Sequence, residues 1–189
     1  LLKAELRKNF KTKAEAQAYL EACKQAAFTV ETVTKTPAKR KPAPPFTTST
    51  LQQEAARKLG YPVALTMRLA QTLYEAGLIT YMRTDSMNLS GLCLSACKEV
   101  INASMGQGYH KSRQYHTNAL GAQEAHEAIR PTDMTAREIG GTKQAQRLYE
   151  LIWKRTIACQ MADAELERTT IEIAGTGLAE PFIATGEVV

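Results

Sequence analysis

The chain has 189 residues, of which 44% are hydrophobic, 23% charged and 6% aromatic, and its 24 basic and 19 acidic side chains give a formal net charge of +5. This composition is that of an ordinary folded protein, and it excludes collagen-like, mucin-like and mostly disordered chains. No apolar run approaches the roughly 18 residues typical of a membrane-spanning helix, and no signal peptide is visible, so no membrane partner is expected. The basic excess weakly favours an anionic partner.

Residues 1–45 are expected to form a strand, a helix and a second strand, followed by a connector. Residues 1–7 alternate enough for a strand, and β-branched residues favour another strand over residues 27–34. Thr12 and Glu15 give the capping-box pattern that begins a helix, which lies between these two strands in the sequence. Prolines and basic residues are then concentrated in TKTPAKRKPAPPF, which is typical either of a solvated connector or of one that also lies along phosphates.

Residues 46–164 are predicted to be mostly helical. A capping pattern at Thr50 and Gln53 begins a first helix that ends at Gly60, and residues 62–77 form a second helix. Two capped helices joined by a tight glycine-containing turn suggest a helix-turn-helix unit. The buried face of the second helix is expected to comprise Val63, Met67, Leu69, Ala70, Leu73 and Tyr74.

The rest of this block continues with a short strand predicted over residues 78–83 and a third helix from the N-cap Ser90 to about Ser104. Residues 106–121 are expected to be a loop, and residues 143–160 a long helix. Strand-forming composition returns from about Arg168 to the end of the chain.

Both ends of the chain are therefore β-rich and the middle is α-rich. We predict an α+β fold in which a helical domain, residues 46–164, is inserted into a β-containing domain formed by residues 1–45 and 165–189. The two ends of the chain are expected to meet in one sheet. Because the chain begins within a predicted strand and without methionine, it is expected to be a piece of a larger protein.

The four cysteines show no C-x-x-C pair. Cys93 and Cys97 are four residues apart, which suits one face of a helix better than a zinc site. We therefore expect reduced, partly buried thiols in a cytosolic protein. No residue of the chain is assigned as a metal ligand.

The most specific chemical signal is the segment GLITYMRTDSMNLS, residues 77–90. Strand alternation would place Tyr81 and Arg83 on one face, where a phenol and a guanidinium project side by side. The following residues of the turn carry short oxygen-bearing side chains. A nucleophilic oxygen, a planar cation and donors that align a backbone are what attack on a phosphodiester needs. The alternative is that tyrosine is simply a good strand former here.

A second signal is the segment AQEAHEAIRPTD, residues 122–133. His126 and Glu127 begin the zinc-protease pattern H-E-x-x-H, but its fifth position is Arg130, so a metalloprotease is excluded. Pro131 disfavours a helical conformation at the arginine. Imidazole and guanidinium groups both suit phosphate; the alternative for the histidine is a partly buried imidazole whose hydrogen bonds are satisfied.

Three strings, FTTSTLQQEA, YEAGLITYMRTDS and EAHEAIRPTD, occur in this order and resemble the type IA DNA topoisomerases, most closely those of bacteria. The resemblance is specific over roughly residues 44–133 and looser over the long helix and the flanking strands. It implies an enzyme rather than a structural protein.

The resemblance implies that Tyr81 attacks a phosphodiester of single-stranded DNA, forming a 5′-phosphotyrosyl link and leaving a 3′-hydroxyl. Passage of another strand and religation would then relax negatively supercoiled DNA without ATP. Arg83 is expected to assist at the scissile phosphate, and His126 to belong to the same catalytic cluster. The remaining motif positions are expected to contact DNA: Thr84, Asp85, Ser86 and Arg130.

The family fold is a toroid of four core domains. The resemblance implies that residues 46–164 are the helical tyrosine domain, with a winged-helix or helix-turn-helix arrangement, and that residues 1–45 and 165–189 belong to a β-rich arch that is only partly present. The family's magnesium ligands lie on a separate domain, and no D-x-D-x-E string occurs here. Mg²⁺ is therefore expected in the full-length enzyme with ligands outside this chain, and the chain alone is expected to be inactive.

The full-length enzyme is expected to act as a monomer in the bacterial cytoplasm, in association with the nucleoid. Two other functions remain open at this stage. One is a non-catalytic helix-turn-helix module, in which Tyr81 and Arg83 only stack on and contact DNA. The other is a topoisomerase III-like relative, which shares the tyrosine chemistry.

Overall fold

A computed structural model describes residues 2–115 and 126–189. Its internal contacts divide the chain into two compact units, one formed by Leu1–Arg40 with Ala164–Val189 and the other by Lys41–Asp163. The predicted domain boundaries were at residues 45/46 and 164/165, and the assignment of these parts to a tyrosine domain and an arch stays a prediction. The α+β class is confirmed, because the first unit contains a sheet and the second is mainly helical.

The first unit is an antiparallel sheet with one helix, α1 (Lys13–Gln25). The Thr12 hydroxyl accepts a hydrogen bond from the Glu15 backbone N–H at 3.2 Å, as expected for an N-cap. The strand order is β1-β4-β3-β2, so the two ends of the chain do meet in one sheet. The strands are β1 (Glu5–Leu6), β2 (Phe28–Arg40), β3 (Ala164–Gly175) and β4 (Phe182–Val188).

Strand β2 is longer than predicted, because it continues through Pro37 to Arg40. Pro37 is paired in register with Glu167 of β3. Strand β2 is at the edge of the sheet, where a residue without an N–H donor is tolerated on the side that has no partner strand. The proline-rich connector therefore begins only at Lys41.

Part of the basic cluster in this region makes ion pairs across the sheet. Lys35 Nζ lies 2.8 Å from a Glu167 carboxylate oxygen, and Lys39 Nζ lies 3.3 Å from Glu165. These pairs are largely exposed, so each contributes little to stability. Their positions nevertheless account for basic residues in β2 without a nucleic-acid partner.

The second unit contains four α-helices and a short 3₁₀ turn in its described residues. The first of these helices is capped by Thr47, not by Thr50: the two backbone N–H groups and hydroxyls exchange hydrogen bonds of 2.9 and 3.3 Å, which puts Thr50 at the third helical position. Gly60 ends that helix in the left-handed conformation, as predicted. The elements are α2 (Thr48–Leu59), α3 (Val63–Glu75), α4 (Gly91–Ser104), the turn Gln107–Tyr109 and α5 (Lys143–Cys159).

The core of this unit is formed by the facing sides of α2, α3, α4 and α5. The prediction for α3 was wrong at two positions, since Val63 is 54% and Tyr74 40% exposed. The buried stripe instead includes Thr66, whose hydroxyl donates to the Pro62 carbonyl at 3.1 Å. A threonine with its hydrogen bond satisfied by the preceding turn can be buried in place of an apolar residue.

Four further features bear on the expectations from the sequence. Helices α2 and α3 are joined by only three residues, as in a helix-turn-helix, while a winged-helix arrangement remains a prediction. All four cysteines are free thiols, with Cys23 half-buried and the other three buried. None of the described helices combines the length and apolarity needed to span a membrane. The predicted loop at residues 106–121 lies partly outside the described residues.

Candidate active site

The segment that contains Tyr81 is irregular, with several bends, and is not the strand predicted over residues 78–83. Its one bridge in the described part of the chain joins Ile79 to Pro131. Strand alternation would place Ile79 on the same face as Tyr81 and Arg83, but Ile79 is buried whereas those two side chains are exposed. The segment does not form a strand because its hydrogen bonds on both sides go to irregular backbone instead of to a neighbouring strand.

One side of the segment is held by the second motif. The Thr80 backbone N–H donates to the Arg130 carbonyl at 2.9 Å, and the Arg130 N–H donates to the Thr80 hydroxyl oxygen at 3.0 Å. The same hydroxyl donates to the Ala128 carbonyl at 2.7 Å. One further bond, from the Thr132 N–H to the Leu78 carbonyl at 3.1 Å, extends this contact. Thr80 therefore fixes the backbone immediately before Tyr81.

The other side of the segment is held by the start of α2. The Thr48 hydroxyl donates to the Met82 carbonyl at 2.8 Å and accepts from the Thr84 N–H at 2.9 Å. The Thr48 N–H donates to the Thr84 carbonyl at 2.8 Å, and the Ile129 N–H donates to the Phe46 carbonyl at 2.8 Å. The three strings that are separated in the sequence thus meet in one place, with Tyr81 between two fixed backbone positions.

Tyr81 itself is 42% exposed, and its ring makes an edge-to-face contact with Tyr74, with centroids 5.2 Å apart and planes at 66°. Arg83 is exposed two residues further on. Within residues 2–115 and 126–189 its guanidinium makes no hydrogen bond or ion pair, so it is available to an external anion. The structure therefore places two exposed side chains two positions apart: the Tyr81 phenol and the Arg83 guanidinium, which has no ion-pair partner among the described residues.

His126 lies two residues before Ala128, whose carbonyl is bound by Thr80. Its side chain is exposed, where the alternative expectation was a partly buried imidazole. The hydrogen bond between Thr80 and Ala128 brings the His126 segment next to the Tyr81 segment. A role for the histidine in catalysis remains a prediction.

Arg130 is oriented into the protein, and its side chain is only 14% exposed. The guanidinium Nε donates to a Glu127 carboxylate oxygen at 3.2 Å, and Nη1 donates to the Pro131 carbonyl at 2.8 Å. Burial opposes ionisation of Glu127, but hydrogen bonds from Arg130 and Ser90 outweigh it and lower the pKa of this carboxyl below its ordinary value. The guanidinium donors of Arg130 are thus used within the protein. Contact between Arg130 and DNA stays a prediction.

The turn after Arg83 is organised by its own hydroxyls. Thr84 and Ser86 are buried, and their hydroxyl oxygens accept backbone N–H groups two residues further on, at 3.1 Å each, from Ser86 and Asn88. Asp85 lies exposed between them. These side chains shape the turn, and contacts of Thr84, Asp85 and Ser86 with DNA stay predictions.

Magnesium is the metal implied by the resemblance, and it prefers several oxygen ligands, usually including carboxylates. Among the described residues, no group of three or more histidine, cysteine, aspartate or glutamate side chains could hold a metal ion. The residues present therefore do not fit a magnesium site by themselves. No step proposed below passes through a metal ligand of this chain.

Four residues that build this site were not selected from the sequence. They are Thr48 and Thr80, which fix the backbone on either side of Tyr81, Tyr74, which packs on its ring, and Glu127, which binds Arg130. All four lie inside the three strings. The signal was therefore present, but their roles depend on contacts between distant parts of the chain.

This inserted helical unit, with its tyrosine on an irregular segment that is held by hydrogen bonds on both sides, has the fold of a topoisomerase. The full-length topoisomerase I from Thermotoga maritima matches 98% of the chain with a TM-score of 0.72 and 33% identity, over 32% of that structure. The family model described as DNA topoisomerase matches residues 2–189, so the chain belongs to the DNA topoisomerase family.

Curated relatives support the same assignment. DNA topoisomerase 1 of Zymomonas mobilis is 52% identical over 180 residues, which is 94% of this chain and 15% of the relative. DNA topoisomerase 1 of a Synechocystis strain is 48% identical over 163 residues, which is 84% of this chain and 18% of the relative. The chain thus spans less than a fifth of the length of these two relatives.

Proposed function

We propose that Tyr81 is the nucleophile of a type IA DNA topoisomerase that cleaves and religates single-stranded DNA and so relaxes negative supercoils. The observation that supports this most is the exposure of Tyr81 two residues before an exposed Arg83 that has no ion-pair partner among the described residues, on backbone fixed by Thr48 and Thr80. A phenol that only packed in the core would not need this exposure. The curated relatives named DNA topoisomerase 1 support the same reaction class.

In the proposed cleavage step, the Tyr81 oxygen forms a bond to phosphorus while the bond from phosphorus to the 3′-oxygen breaks. The phenolic proton passes to a base or to water, and the 3′-oxygen takes up a proton as it leaves. The Arg83 guanidinium stabilises charge on the non-bridging oxygens, and His126 is a candidate for proton exchange. Religation is the reverse exchange of one phosphodiester for another, so no ATP is required.

We propose that acidic residues elsewhere in a longer enzyme bind Mg²⁺. The bound ion would supply positive charge near the phosphate. This chain alone is then not expected to relax supercoiled DNA. Its short span relative to the curated relatives and the absence of a D-x-D-x-E string support this proposal. The longer enzyme would act as a monomer on DNA in the bacterial cytoplasm, in association with the nucleoid.

The deciding experiment compares wild type and Tyr81→Phe in the complete enzyme, using a labelled oligonucleotide and trapping the covalent adduct with denaturant. The phenylalanine variant should form no adduct while it still binds single-stranded DNA. Tyr109→Phe is a matched control, since Tyr109 is also exposed but lies in the 3₁₀ turn. Unchanged adduct formation in Tyr81→Phe would leave only the non-catalytic binding module.

A second comparison separates the two topoisomerase alternatives, because both would form the same adduct. Relaxation of negatively supercoiled circles is expected to be faster than unlinking of interlocked single-strand-containing circles. The reverse order of rates would favour the topoisomerase III-like alternative.

A further inference from the structure

Tyr74 is on α3, but it is not part of the hydrophobic core. Its side chain is 40% exposed, although the periodicity of the helix predicts burial. Its aromatic neighbour in the described residues is Tyr81, whose ring it meets edge to face with centroids 5.2 Å apart. An edge-to-face geometry is the one that aromatic rings prefer when they attract each other.

The backbone under Tyr74 is fixed by the end of α3. The Gly77 N–H donates to the Tyr74 carbonyl at 2.8 Å, and the Leu78 N–H donates to the Leu73 carbonyl at 2.9 Å. Gly77 has a φ of 72°, so these bonds form a Schellman motif, in which a glycine adopts the left-handed conformation. The motif also reverses the chain, which is what allows a residue seven positions later to reach the helix.

The backbone next to Tyr81 is fixed independently, through the bonds of Thr80 to Ala128 and Arg130. With both backbones held, the main remaining freedom of the Tyr81 phenol is rotation about its two side-chain torsions. A half-exposed tyrosine otherwise samples several rotamers. The Tyr74 ring occupies space that some of those rotamers need.

We propose that Tyr74 is a positioning residue for Tyr81: its ring restricts the rotamers of the phenol and so reduces the entropy lost when the hydroxyl aligns with a phosphodiester. This inference rests on the proposed role of Tyr81 as the nucleophile. Alignment of reacting groups before reaction is a general source of rate enhancement. The Tyr74 ring, rather than its hydroxyl, carries the effect.

Two variants test this in the complete enzyme: Tyr74→Phe keeps the ring and removes the hydroxyl, and Tyr74→Leu removes the ring. The rate of adduct formation is measured in a single turnover at saturating single-stranded DNA, with DNA affinity measured separately. Tyr74→Leu should be slower by about threefold to tenfold, the range that one aromatic pair accounts for. Its DNA affinity should be unchanged, and Tyr74→Phe should react at nearly the wild-type rate.

Other results would overturn the proposal. If Tyr74→Phe is as slow as Tyr74→Leu, the hydroxyl takes part in the chemistry; if Tyr74→Leu is as fast as wild type, the ring has no role. A loss confined to affinity would make Tyr74 a DNA contact. Tyr109→Leu is the control for removing an exposed tyrosine ring outside this pair, and a lower melting temperature in Tyr74→Leu alone would indicate a merely structural role.

A second measurement does not depend on catalysis. Ring signals of Tyr81 are identified by NMR on protein labelled in its tyrosine rings, through their loss in Tyr81→Phe. They should shift in Tyr74→Leu and stay nearly unchanged in Tyr74→Phe, because a neighbouring ring displaces them. If they do not move in Tyr74→Leu, the proposal is wrong. If they move but wild type forms no adduct, the ring contact exists and the role of Tyr81 as nucleophile is what has failed.

Discussion

The carboxylate of Glu127 accepts hydrogen bonds from two nitrogens of the Arg130 guanidinium, three residues further along the chain. It also accepts the Ser90 backbone N–H at 2.7 Å, at the N-cap of α4. Both members of the pair are mostly buried, with 26% and 14% of their side chains exposed. Glu127 therefore connects the Arg130 segment, which holds Thr80, to the start of α4.

Replacing the carboxylate should destabilise the helical unit. Glu127→Gln weakens the charge-assisted hydrogen bonds and leaves the Arg130 charge mostly buried, so the free energy of unfolding at pH 7 should fall by about 1–3 kcal/mol. Urea denaturation measures this. Glu150→Gln is the control, because its partner Lys154 and Glu150 itself are 59% and 45% exposed, and that change should cost no more than about 0.5 kcal/mol. Equal losses in the two variants would contradict a special role for Glu127.

The same carboxylate should make stability depend on pH. The pKa of Glu127 is lowered, since hydrogen bonds from Arg130 and Ser90 outweigh its burial. A carboxyl with a lowered native pKa contributes stability above its unfolded pKa and loses it as pH falls through the native pKa. The difference in unfolding free energy between wild type and Glu127→Gln should therefore be constant near neutrality and shrink as pH falls below about 4.5. A difference that grows on acidification would show the opposite sign of shift.

Thr80 offers a test of the clamp beside Tyr81. Thr80→Val keeps the shape but leaves the Ala128 carbonyl and the Arg130 N–H without their hydroxyl partner, which should cost about 1–3 kcal/mol of unfolding free energy. Thr80→Ser keeps the hydroxyl and should recover most of that loss. Adduct formation should slow in the valine variant even at temperatures where it is fully folded. If valine and serine variants behave alike, the hydroxyl is not what holds the segment.

Arg83 should matter more for reaction than for binding. Arg83→Ala removes one cation from the charge that develops at phosphorus, and the rate of adduct formation should fall by about 100-fold or more. Affinity for single-stranded DNA should fall much less, since other basic groups remain. Single-turnover rates and fluorescence anisotropy on the same variant separate the two effects. Equal losses in rate and affinity would reduce Arg83 to a binding residue.

The thiols provide a test of the core. Cys93, Cys97 and Cys159 are buried, so a disulfide reagent should reach them slowly at pH 8. Burial also raises the pKa of Cys159 to about 11, whereas the hydrogen bond with Cys97 lowers the pKa of Cys93, so slow reaction of Cys93 depends on its burial alone. Cys23 is the half-buried thiol and should react first. Cys23→Ser should remove the fast phase, and urea should make the other three react together. A fast phase that survives Cys23→Ser would mean that the core packs more loosely than described.

Much of the helical unit could be predicted from local signals. The N-cap Ser90 and the left-handed Gly60 act within a few residues of themselves, and the corresponding helix ends were placed correctly. Shifted starts, such as Thr47 instead of Thr50, reflect two neighbouring threonines that can each serve as a cap. Pattern alone does not choose between them.

The active-site segment could not be predicted in the same way. Its alternating residues suggested a strand around Tyr81, but a strand needs a partner along its length, and among the described residues the segment makes one bridge, from Ile79 to Pro131. The sequence suggested Thr84 and Ser86 as DNA contacts, but it did not show that their hydroxyls accept backbone N–H groups two residues later. Whether a polar side chain serves a ligand or its own backbone depends on tertiary contacts that spacing does not encode.

Arg40 and Ala164 are direct partners in the register of β2 and β3, and the whole helical unit lies between them in the sequence. The two strands thus form a hairpin whose loop is the helical unit. Closing such a loop over an unfolded chain is slow and costs entropy, but a folded unit holds residues 41 and 163 at a fixed separation. We therefore expect the helical unit to fold before β2 and β3 pair along their length.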